Sequence, residues 1–320
     1  MNFAVTNRIP ESAVELLREA GEVRLDERET AIPQADLLEL VAGVDAVLTL
    51  LHDRVDAELL DAAGPQLRCV ANVAVGYDNV DVAAATERGV VVTNTPEVLD
   101  DATADLTWAL LLAATRRLGE GDRLVRSGRE WSWGMHFMLG SSLRGKRLGI
   151  VGLGGIGRRV AERGRAFGME IAYHSRHPAP AEVEAALEAE RMSLQRLLAE
   201  ADVISLHCPL TPETHHLIGR EELGAMKPSA VLINAARGPI VDEGALAEAL
   251  AAGEIAAGGL DVYEHEPRVE PRLLELDNVV LTPHLGSATV ETRTAMAELA
   301  ARNAISVLRG QGPLTPVASQ

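Results

Sequence analysis

The sequence predicts an α/β protein built from two Rossmann-like parallel-sheet domains, one flavodoxin-like and one dinucleotide-binding, with the second inserted in the first. Three observations carry that expectation. The chain has 320 residues, long for one hydrophobic core. Apolar residues make up 47% of it but aromatics only 3%, so the core is aliphatic, as suits buried parallel strands under Ala-rich helices. Short aliphatic runs also alternate with helical patterns or turn signals along most of the length.

In order, Phe3-Ala4-Val5 begins a strand, and Pro10-Glu11-Ser12 leads into the amphipathic stretch Val14-Glu15-Leu16-Leu17. Ala46–Thr49, Leu67–Val70 and Val90–Val92 follow as further strands of a small βα-repeating domain. From about Leu99 to Leu118 one long Ala/Leu-rich helix is apolar nearly all round and is expected to be buried between the domains. After the Trp-containing segment SGREWSWGMHFMLGSSLRG a second βα series begins, with strands expected at 147–151, 170–173, 202–206, 230–233, 256–261 and 279–282. A last helix, about Ala288 to Leu308, closes the pattern. If it returns to the first domain, that domain comprises residues 1–98 and 288–320, and 99–287 form an insertion of about 190 residues.

The net charge of -17, with no basic run, leaves no positive stripe for a nucleic-acid partner. Anionic ligands would need arginines near the site to overcome that field. Cys69 and Cys208 form no CxxC pair, so a reducing compartment is expected. The N-terminal stretch MNFAVTNRIPESAVELL has no basic segment leading into an apolar one, and the apolar runs are too short to span a bilayer. A soluble, cytoplasmic protein with no membrane partner is the expectation, and no metal ligands are read from the sequence.

GLGGIG puts Gly152, Gly154 and Gly157 directly after a β-branched strand and before the helical run Arg158–Phe167. In such a turn the first glycine permits the tight bend and the second lets backbone approach a pyrophosphate. The third lets the helix pack on the strand with its N-terminus facing the phosphates. A lone GxGxxG is often only a glycine-rich turn; the strand–turn–helix context makes this one, with Gly155 and Ile156, a dinucleotide site. An NAD(P)-dependent oxidoreductase is expected. The next strand ends in His174-Ser175-Arg176, with no acidic residue between Glu170 and Glu182 to accept a ribose 2′-hydroxyl. Ser175 and Arg176 suit a 2′-phosphate instead, so NADP(H) is expected to be preferred, with NAD(H) as the lesser cofactor. A basic surface loop is the plainer reading.

Three charged residues follow strands in the C-terminal half: Arg237 after VLINAA, Glu266 after GLDVYEH and His284 after NVVLTP. Ends of parallel strands are where an open α/β sheet gathers ligands. Hydride transfer to a 2-oxo acid needs a cation for the carboxylate, an acid/base for the carbonyl oxygen, and an anion that orients that acid/base. Arg237, His284 and Glu266 can fill those roles in that order. Singly, each could be a surface Arg, a capping Glu or a His bonded within a turn.

NAARGPIVDEGAL, GLDVYEHEP and NVVLTPHLGSAT closely resemble the signatures of the D-isomer-specific 2-hydroxyacid dehydrogenases. The resemblance spans almost the whole chain, including NVAVGYDNVDV, VTNTPEVLDDATADLTWALLLAATRRL and SLHCPLTPETHHLI, and is greatest to the glyoxylate/hydroxypyruvate reductases of that family. It implies a substrate domain made of both chain ends, a closing cleft, a homodimer, and Arg237, Glu266 and His284 as the catalytic trio. It also implies Val75, Gly76 and Leu51, besides Arg237 and His284, as substrate contacts. Thr103, Ala235 and Asp261 would lie around the nicotinamide, with Asp261 accepting from its carboxamide, and Gly286 would be a further cofactor contact. Cys208, Pro209 and Thr214 would line the adenosine side.

Two departures bear on this. The family often has Arg where Gly155 stands, which removes a phosphate or packing contact. Phosphite-oxidising relatives carry Lys at the position of Val75, which argues against that chemistry. Trp133 or Phe137 would reach a neighbouring subunit's cleft or pack in the dimer. The implied reaction is NAD(P)H-dependent reduction of a small 2-oxo acid, glyoxylate or hydroxypyruvate, to the D-2-hydroxy acid. The alternatives are 2-ketogluconate reductase or 3-phosphoglycerate dehydrogenase activity, or a dinucleotide-sensing, corepressor-like binding protein.

Overall fold

The early aliphatic runs form strands in the computed structural model, which describes residues 1–317. Chain contacts divide the protein into two units: Met1–Leu99 joined by the chain from Ser287 onward, and Asp100–Gly286.

The first unit alternates β1 (Asn2–Val5), α1 (Glu11–Ala20), β2 (Glu22–Leu25), α2 (Gln34–Val41), β3 (Ala46–Thr49), α3 (Ala57–Ala63), β4 (Cys69–Asn72), α4 (Val82–Glu87) and β5 (Val91–Thr93). All strands are parallel, in the order β2-β1-β3-β4-β5, the flavodoxin-like arrangement. β3 and β4 are buried at every position because helices cover both faces. β2 was not expected from the sequence. It is an edge strand, EVRL, in which charges interrupt the apolar residues, so no aliphatic run marks it. The run expected at 67–70 enters the sheet two residues late, at Cys69, and the side chain of Arg68, just before it, reaches another element. Its guanidinium donates to the carbonyls of Val307 (2.9 Å) and Leu308 (3.0 Å) at the end of the C-terminal helix Val290–Leu308. A cation there satisfies orphan carbonyls at the negative end of the helix. That helix packs on α1, β3 and β4, so both ends of the chain build one sheet domain.

The second unit begins with α5 (Asp100–Thr115) and α6 (Leu118–Arg126). It continues through β6 (Arg147–Val151), α7 (Gly155–Ala166), β7 (Glu170–His174), α8 (Ala181–Leu187), β8 (Ala189–Arg191) and α9 (Leu194–Glu200). β9 (Val203–Leu206), α10 (Arg220–Ala225), β10 (Val231–Asn234), α11 (Glu243–Ala252), β11 (Ala257–Leu260), α12 (Pro271–Leu274) and β12 (Val279–Leu281) complete it. The sheet is again all parallel, ordered β12-β11-β10-β9-β6-β7-β8. This is the doubly wound dinucleotide-fold order with one more edge strand, and its direction reverses between β6 and β9. β8 was not foreseen; it is a three-residue edge strand, AER, with two exposed residues.

The long helix expected over 99–118 breaks near its end, where Arg117 takes a left-handed conformation (φ 55°) and α6 starts on a new axis. Nor is α5 buried all round: Asp101, Asp105 and Ala109 are exposed. Its buried stripe, including Thr103, Ala104, Thr107, Trp108 and Leu111, packs on α7 and on β10 to β12. Trp108 stacks on Phe167 (centroids 4.5 Å apart) and its indole N–H donates to the Val160 carbonyl at 3.1 Å. Arg163 of α7 also pairs with Asp101 (3.1 Å) and Asp105 (2.6 Å). Such surface pairs contribute at most about 1 kcal/mol each, whereas truncating a buried Trp costs about 3–5 kcal/mol, so Trp108 is the stronger anchor of α7.

Candidate active site

The reversal of strand order puts the ends of β6 and β9 side by side, and the glycine loop lies there. Gly152 has φ 96°, and a Cβ on it would come within 2.6 Å of the Cys208 backbone nitrogen, so no side chain fits. Gly154 precedes α7, and a Cβ on Gly157 would lie 2.2 Å from the Gly152 carbonyl oxygen, so the first turn of α7 is pressed against the loop. Ile156 is half-buried beside them. The N-terminus of α7 therefore presents open N–H groups and the positive end of its dipole over a loop whose one side chain, Leu153, is buried in the core. Gly155 has its own neighbour. A Cβ there would sit 2.0 Å from Asp100 Oδ2, so the space is filled by the Asp100 carboxylate rather than left as a packing defect.

Beyond β7, the Ser175 hydroxyl donates to the His177 carbonyl, closing the turn on itself, and Arg176 is exposed. The turn has a second guanidinium that sequence reasoning missed. Arg191 of β8 donates to the carbonyls of Ser175 (3.0 Å) and Arg176 (3.1 Å). Burial pushes the Cys208 thiol up to about 11, opposed in part by its own backbone hydrogen bond and the Arg176 charge. The Thr214 hydroxyl accepts from the Thr211 N–H (2.8 Å) and donates to the Pro209 carbonyl (2.7 Å), so it closes the loop that carries Cys208 and Pro209.

At the other end of the sheet, Asp261 follows β11 and is almost fully buried. Oδ1 accepts from the Thr282 hydroxyl (2.6 Å) and the Leu285 N–H (2.7 Å), and Oδ2 from the Gly286 N–H (2.8 Å). A carboxylate has about four acceptor positions, so one remains on Oδ2. Thr103 lies against the same place: a Cβ on Gly286 would meet its Cγ2 at 3.3 Å and Asp261 Oδ2 at 3.4 Å. Ala235 is buried at the end of β10, where the Asn234 side chain accepts from the Ala236 N–H (3.1 Å) and donates to the Arg237 carbonyl (2.9 Å).

His284, Glu266 and Arg237 come together here. His284 has φ 53°, a left-handed backbone held by donation from its N–H to the Asp261 carbonyl at 2.8 Å. Its Nδ1–H donates to Glu266 Oε2 at 2.9 Å, which leaves Nε2 as the outward nitrogen. Glu266 Oε1 accepts from the Tyr263 N–H at 3.0 Å. Burial pushes the Glu266 carboxyl up, but the hydrogen bond and charge of His284, the Tyr263 N–H and the Arg237 charge together hold it below the usual Glu value. Arg237 Nη1 donates to the Ala236 carbonyl at 2.8 Å. The next residue admits no side chain, since a Cβ on Gly238 would fall 1.8 Å from the Tyr263 carbonyl carbon. That contact locks the Arg237 turn to the Glu266 loop. Glu243 braces the same loop, accepting from the N–H groups of Glu264 and Glu270 (the latter at 3.3 Å), and its burial raises its pKa.

The first unit holds the remaining predicted residues. Asn94 donates to the Val75 carbonyl (2.8 Å) and Asn72 to the Gly76 carbonyl (3.0 Å). With both carbonyls held, the N–H groups of Val75 and Gly76 have no hydrogen-bond partner among the described residues. Leu51 is exposed in the turn after β3.

A family profile described as "D-isomer specific 2-hydroxyacid dehydrogenase, NAD binding domain" matches residues 108–286. The chain is also 52% identical over 318 residues to a glyoxylate reductase of Thermococcus onnurineus, covering 98% of this chain and 94% of that protein. The chain belongs to the D-isomer-specific 2-hydroxyacid dehydrogenase family. Among solved structures of this family's fold, it resembles a glyoxylate reductase from Paecilomyes thermophila (TM-score 0.90, 36% identity, covering 99% and 98% of the two chains). It also resembles an NADPH-dependent glyoxylate/hydroxypyruvate reductase from Sinorhizobium meliloti, solved with NADP and malonate (TM-score 0.86, 39% identity, 99% and 96% covered).

As in other 2-hydroxyacid dehydrogenases, the second unit is a nicotinamide-dinucleotide-binding domain. Its residues fit the group: a glycine loop whose Leu153 side chain turns into the core meets a helix N-terminus, and an acceptor on Asp261 remains open. Sequence reasoning missed Asn234, Glu243, Tyr263 and Arg191 as supports. Glu243 reads as an ordinary first-turn acid after the Asp242 N-cap, and only the fold buries it.

His207, beside Gly152 at the end of β9, is a further residue that the sequence did not single out. Its Nε2 is hydrogen-bonded with the Ser205 hydroxyl (2.8 Å), while Nδ1 is buried and has no partner among the described residues. Burial pushes its pKa from 6.5 down to about 3. Both folded and unfolded chains hold this group neutral above 6.5; below that only the unfolded chain takes the proton, so stability is lost as pH falls towards about 3. Urea unfolding at neutral and at mildly acidic pH should show a smaller acid loss in His207→Gln than in the native protein. Equal losses would remove His207 from that account.

Proposed function

We propose that this enzyme reduces small 2-oxo acids, glyoxylate and hydroxypyruvate among them, to D-2-hydroxy acids with NAD(P)H. The observation that carries the reading is the His284 Nδ1–Glu266 contact of 2.9 Å, with the Arg237 charge bearing on the same carboxylate. The nicotinamide cofactor, when bound, supplies the hydride. His284 donates the Nε2 proton to the carbonyl oxygen, and Glu266 keeps the ring oriented through Nδ1. Arg237 binds the substrate carboxylate and polarises the carbonyl. Its planar fork suits the adjacent carboxylate and carbonyl oxygens of a 2-oxo acid.

Gly152, Gly154, Gly155, Ile156 and Gly157 would hold the pyrophosphate, and Thr103, Ala235, Asp261 and Gly286 the nicotinamide. Cys208, Pro209 and Thr214 are assigned to the adenosine. The first unit's contribution to substrate binding is the N–H pair of Val75 and Gly76, with Leu51. The 2-ketogluconate and 3-phosphoglycerate activities and the binding-protein reading are less well supported, because relatives at about half identity are named glyoxylate reductase.

The finer cofactor reading is NADP(H) preference. It is supported by Ser175 and Arg176, by the second guanidinium of Arg191, and by the absence of an acid after β7. We also propose a homodimer. Leu118, Val125, Trp131, Trp133, Met135, Phe137 and Leu139 are exposed in one stretch of chain, with Trp133 at 77%, and a second copy of the chain would cover them. Among the described residues no helix is long and apolar enough to cross a membrane. The free thiols Cys69 and Cys208 support a reducing compartment, and we propose the cytoplasm.

His284→Ala should lower kcat for glyoxylate reduction by about 10²–10⁴-fold, with dinucleotide affinity retained, and Glu266→Gln by about 10²-fold. Undiminished turnover in His284→Ala would sink the assignment. Arg176→Ala should reduce kcat/KM with NADPH about 10-fold or more while changing the NADH value little, the worth of one charge-assisted hydrogen bond. A parallel fall with both cofactors would refute the preference. Sedimentation should find a dimer that Trp133→Ser weakens; a monomeric native protein would exclude it.

A further inference from the structure

Beside the catalytic loops lies a cluster that the reductase reading does not use. Among the described residues, His215, His216 and Glu264 bring one donor atom each within 4.8 Å of one another. His216 Nε2 lies 2.8 Å from Glu264 Oε1, and the two imidazoles have centroids 4.1 Å apart. No metal ligands were read from the sequence because Glu264 lies 48 residues from His216.

The backbone explains how neighbouring histidines converge. Consecutive residues in extended chain point to opposite sides. His216 instead takes φ 51°, held by donation from its N–H to the Pro239 carbonyl at 2.8 Å, and this turns its ring back onto His215. An ion pair would need only His216 and Glu264. The third donor is what a metal centre requires.

We propose that His215, His216 and Glu264 bind a divalent transition-metal ion of the zinc class. Two imidazole nitrogens and one carboxylate oxygen match zinc, cobalt(II) and nickel(II), whereas magnesium and calcium prefer all-oxygen sites. Donors of a tetrahedral zinc site stand about 3.3 Å apart at bond lengths of about 2.0–2.1 Å. The exposed histidines and the half-buried Glu264, with donors within 4.8 Å of each other, reach that by small rotations, and water completes the coordination. The ion would tie the 215–216 segment to the Glu264 loop, with the Arg237 turn attached through backbone hydrogen bonds. Residues 215–218 are hydrogen-bonded to the turn that follows Arg237, through Pro239 and Ile240, and Glu264 is two residues from Glu266. Its bound form braces the Arg237 turn against the Glu266 loop. This inference stands whether or not the substrate assignment does.

The test uses untagged full-length protein stripped with a chelator and titrated with Co²⁺, then with Zn²⁺. One equivalent of Co²⁺ should bind with the visible absorption of a tetrahedral nitrogen/oxygen site, and Zn²⁺ should displace it. Zn²⁺ should also raise the thermal midpoint by a few degrees, about what ligand linkage gives. His216→Asn, which tolerates the left-handed backbone, and Glu264→Gln should each weaken Co²⁺ binding about 10-fold or more. His215→Ala should remove the absorption band. Binding of equal strength in these variants, or no saturable Co²⁺ binding in the native protein, would overturn the proposal. Circular dichroism of each variant separates loss of the site from loss of the fold.

Discussion

The buried carboxylate of Asp261 is the interaction on which the catalytic end of the sheet depends. Taking an ionised carboxylate out of water costs several kcal/mol. Three donors, the Thr282 hydroxyl and the N–H groups of Leu285 and Gly286, offset part of that cost, each hydrogen bond to a charge being worth about 1.5–3 kcal/mol, and burial still holds the Asp261 carboxyl above its usual value. The same residue's carbonyl accepts from the His284 N–H. One side chain and its own backbone thus bind the whole turn from Thr282 to Gly286. They hold His284 in a left-handed conformation that a free loop would abandon.

The other two members of the trio are held by comparable bracing. Asn234 bonds across the turn before Arg237, Gly238 lets that turn press against the Tyr263–Glu264 peptide, and Glu243 draws in the N–H groups of the loop that carries Glu266. These contacts link the ends of β10 and β11 at points where no regular structure remains. The consequence is preorganisation: His284 presents Nε2 because Nδ1 is already committed to Glu266, and Glu266 is committed because Tyr263 and Glu243 fix its loop. The proposed metal centre would add a further tie between the same two loops.

The cofactor end follows a different logic, in which side chains are excluded rather than recruited. Gly152 faces the Cys208 backbone, Gly157 faces Gly152, and the N-terminus of α7 lies over the glycine loop. Trp108 sets the position of α7 from beneath, through Val160 and Phe167. Asp100 beside Gly155 shows that even the unusual glycine of this loop is part of a packed arrangement.

The sequence by itself determined the α/β class, the two parallel sheets, the central strands and the glycine loop, because each has a local signal: aliphatic runs, helical periodicity, or glycines at fixed spacing. It also marked Arg237, Glu266 and His284, since each directly follows such a run. It was silent on β2 and β8, whose edge positions need few apolar residues, and therefore on Arg191. It overextended the helix before α6, where Arg117 turns the chain. Only the tertiary structure decided that the three charged residues meet and that Asp261 and Glu243 are buried supports. The same holds for the space at Gly155, which belongs to Asp100, and for the approach of His215 and His216 to Glu264. These are contacts between strands' ends distant in sequence, and pairings of that kind leave no periodicity in the chain that makes them.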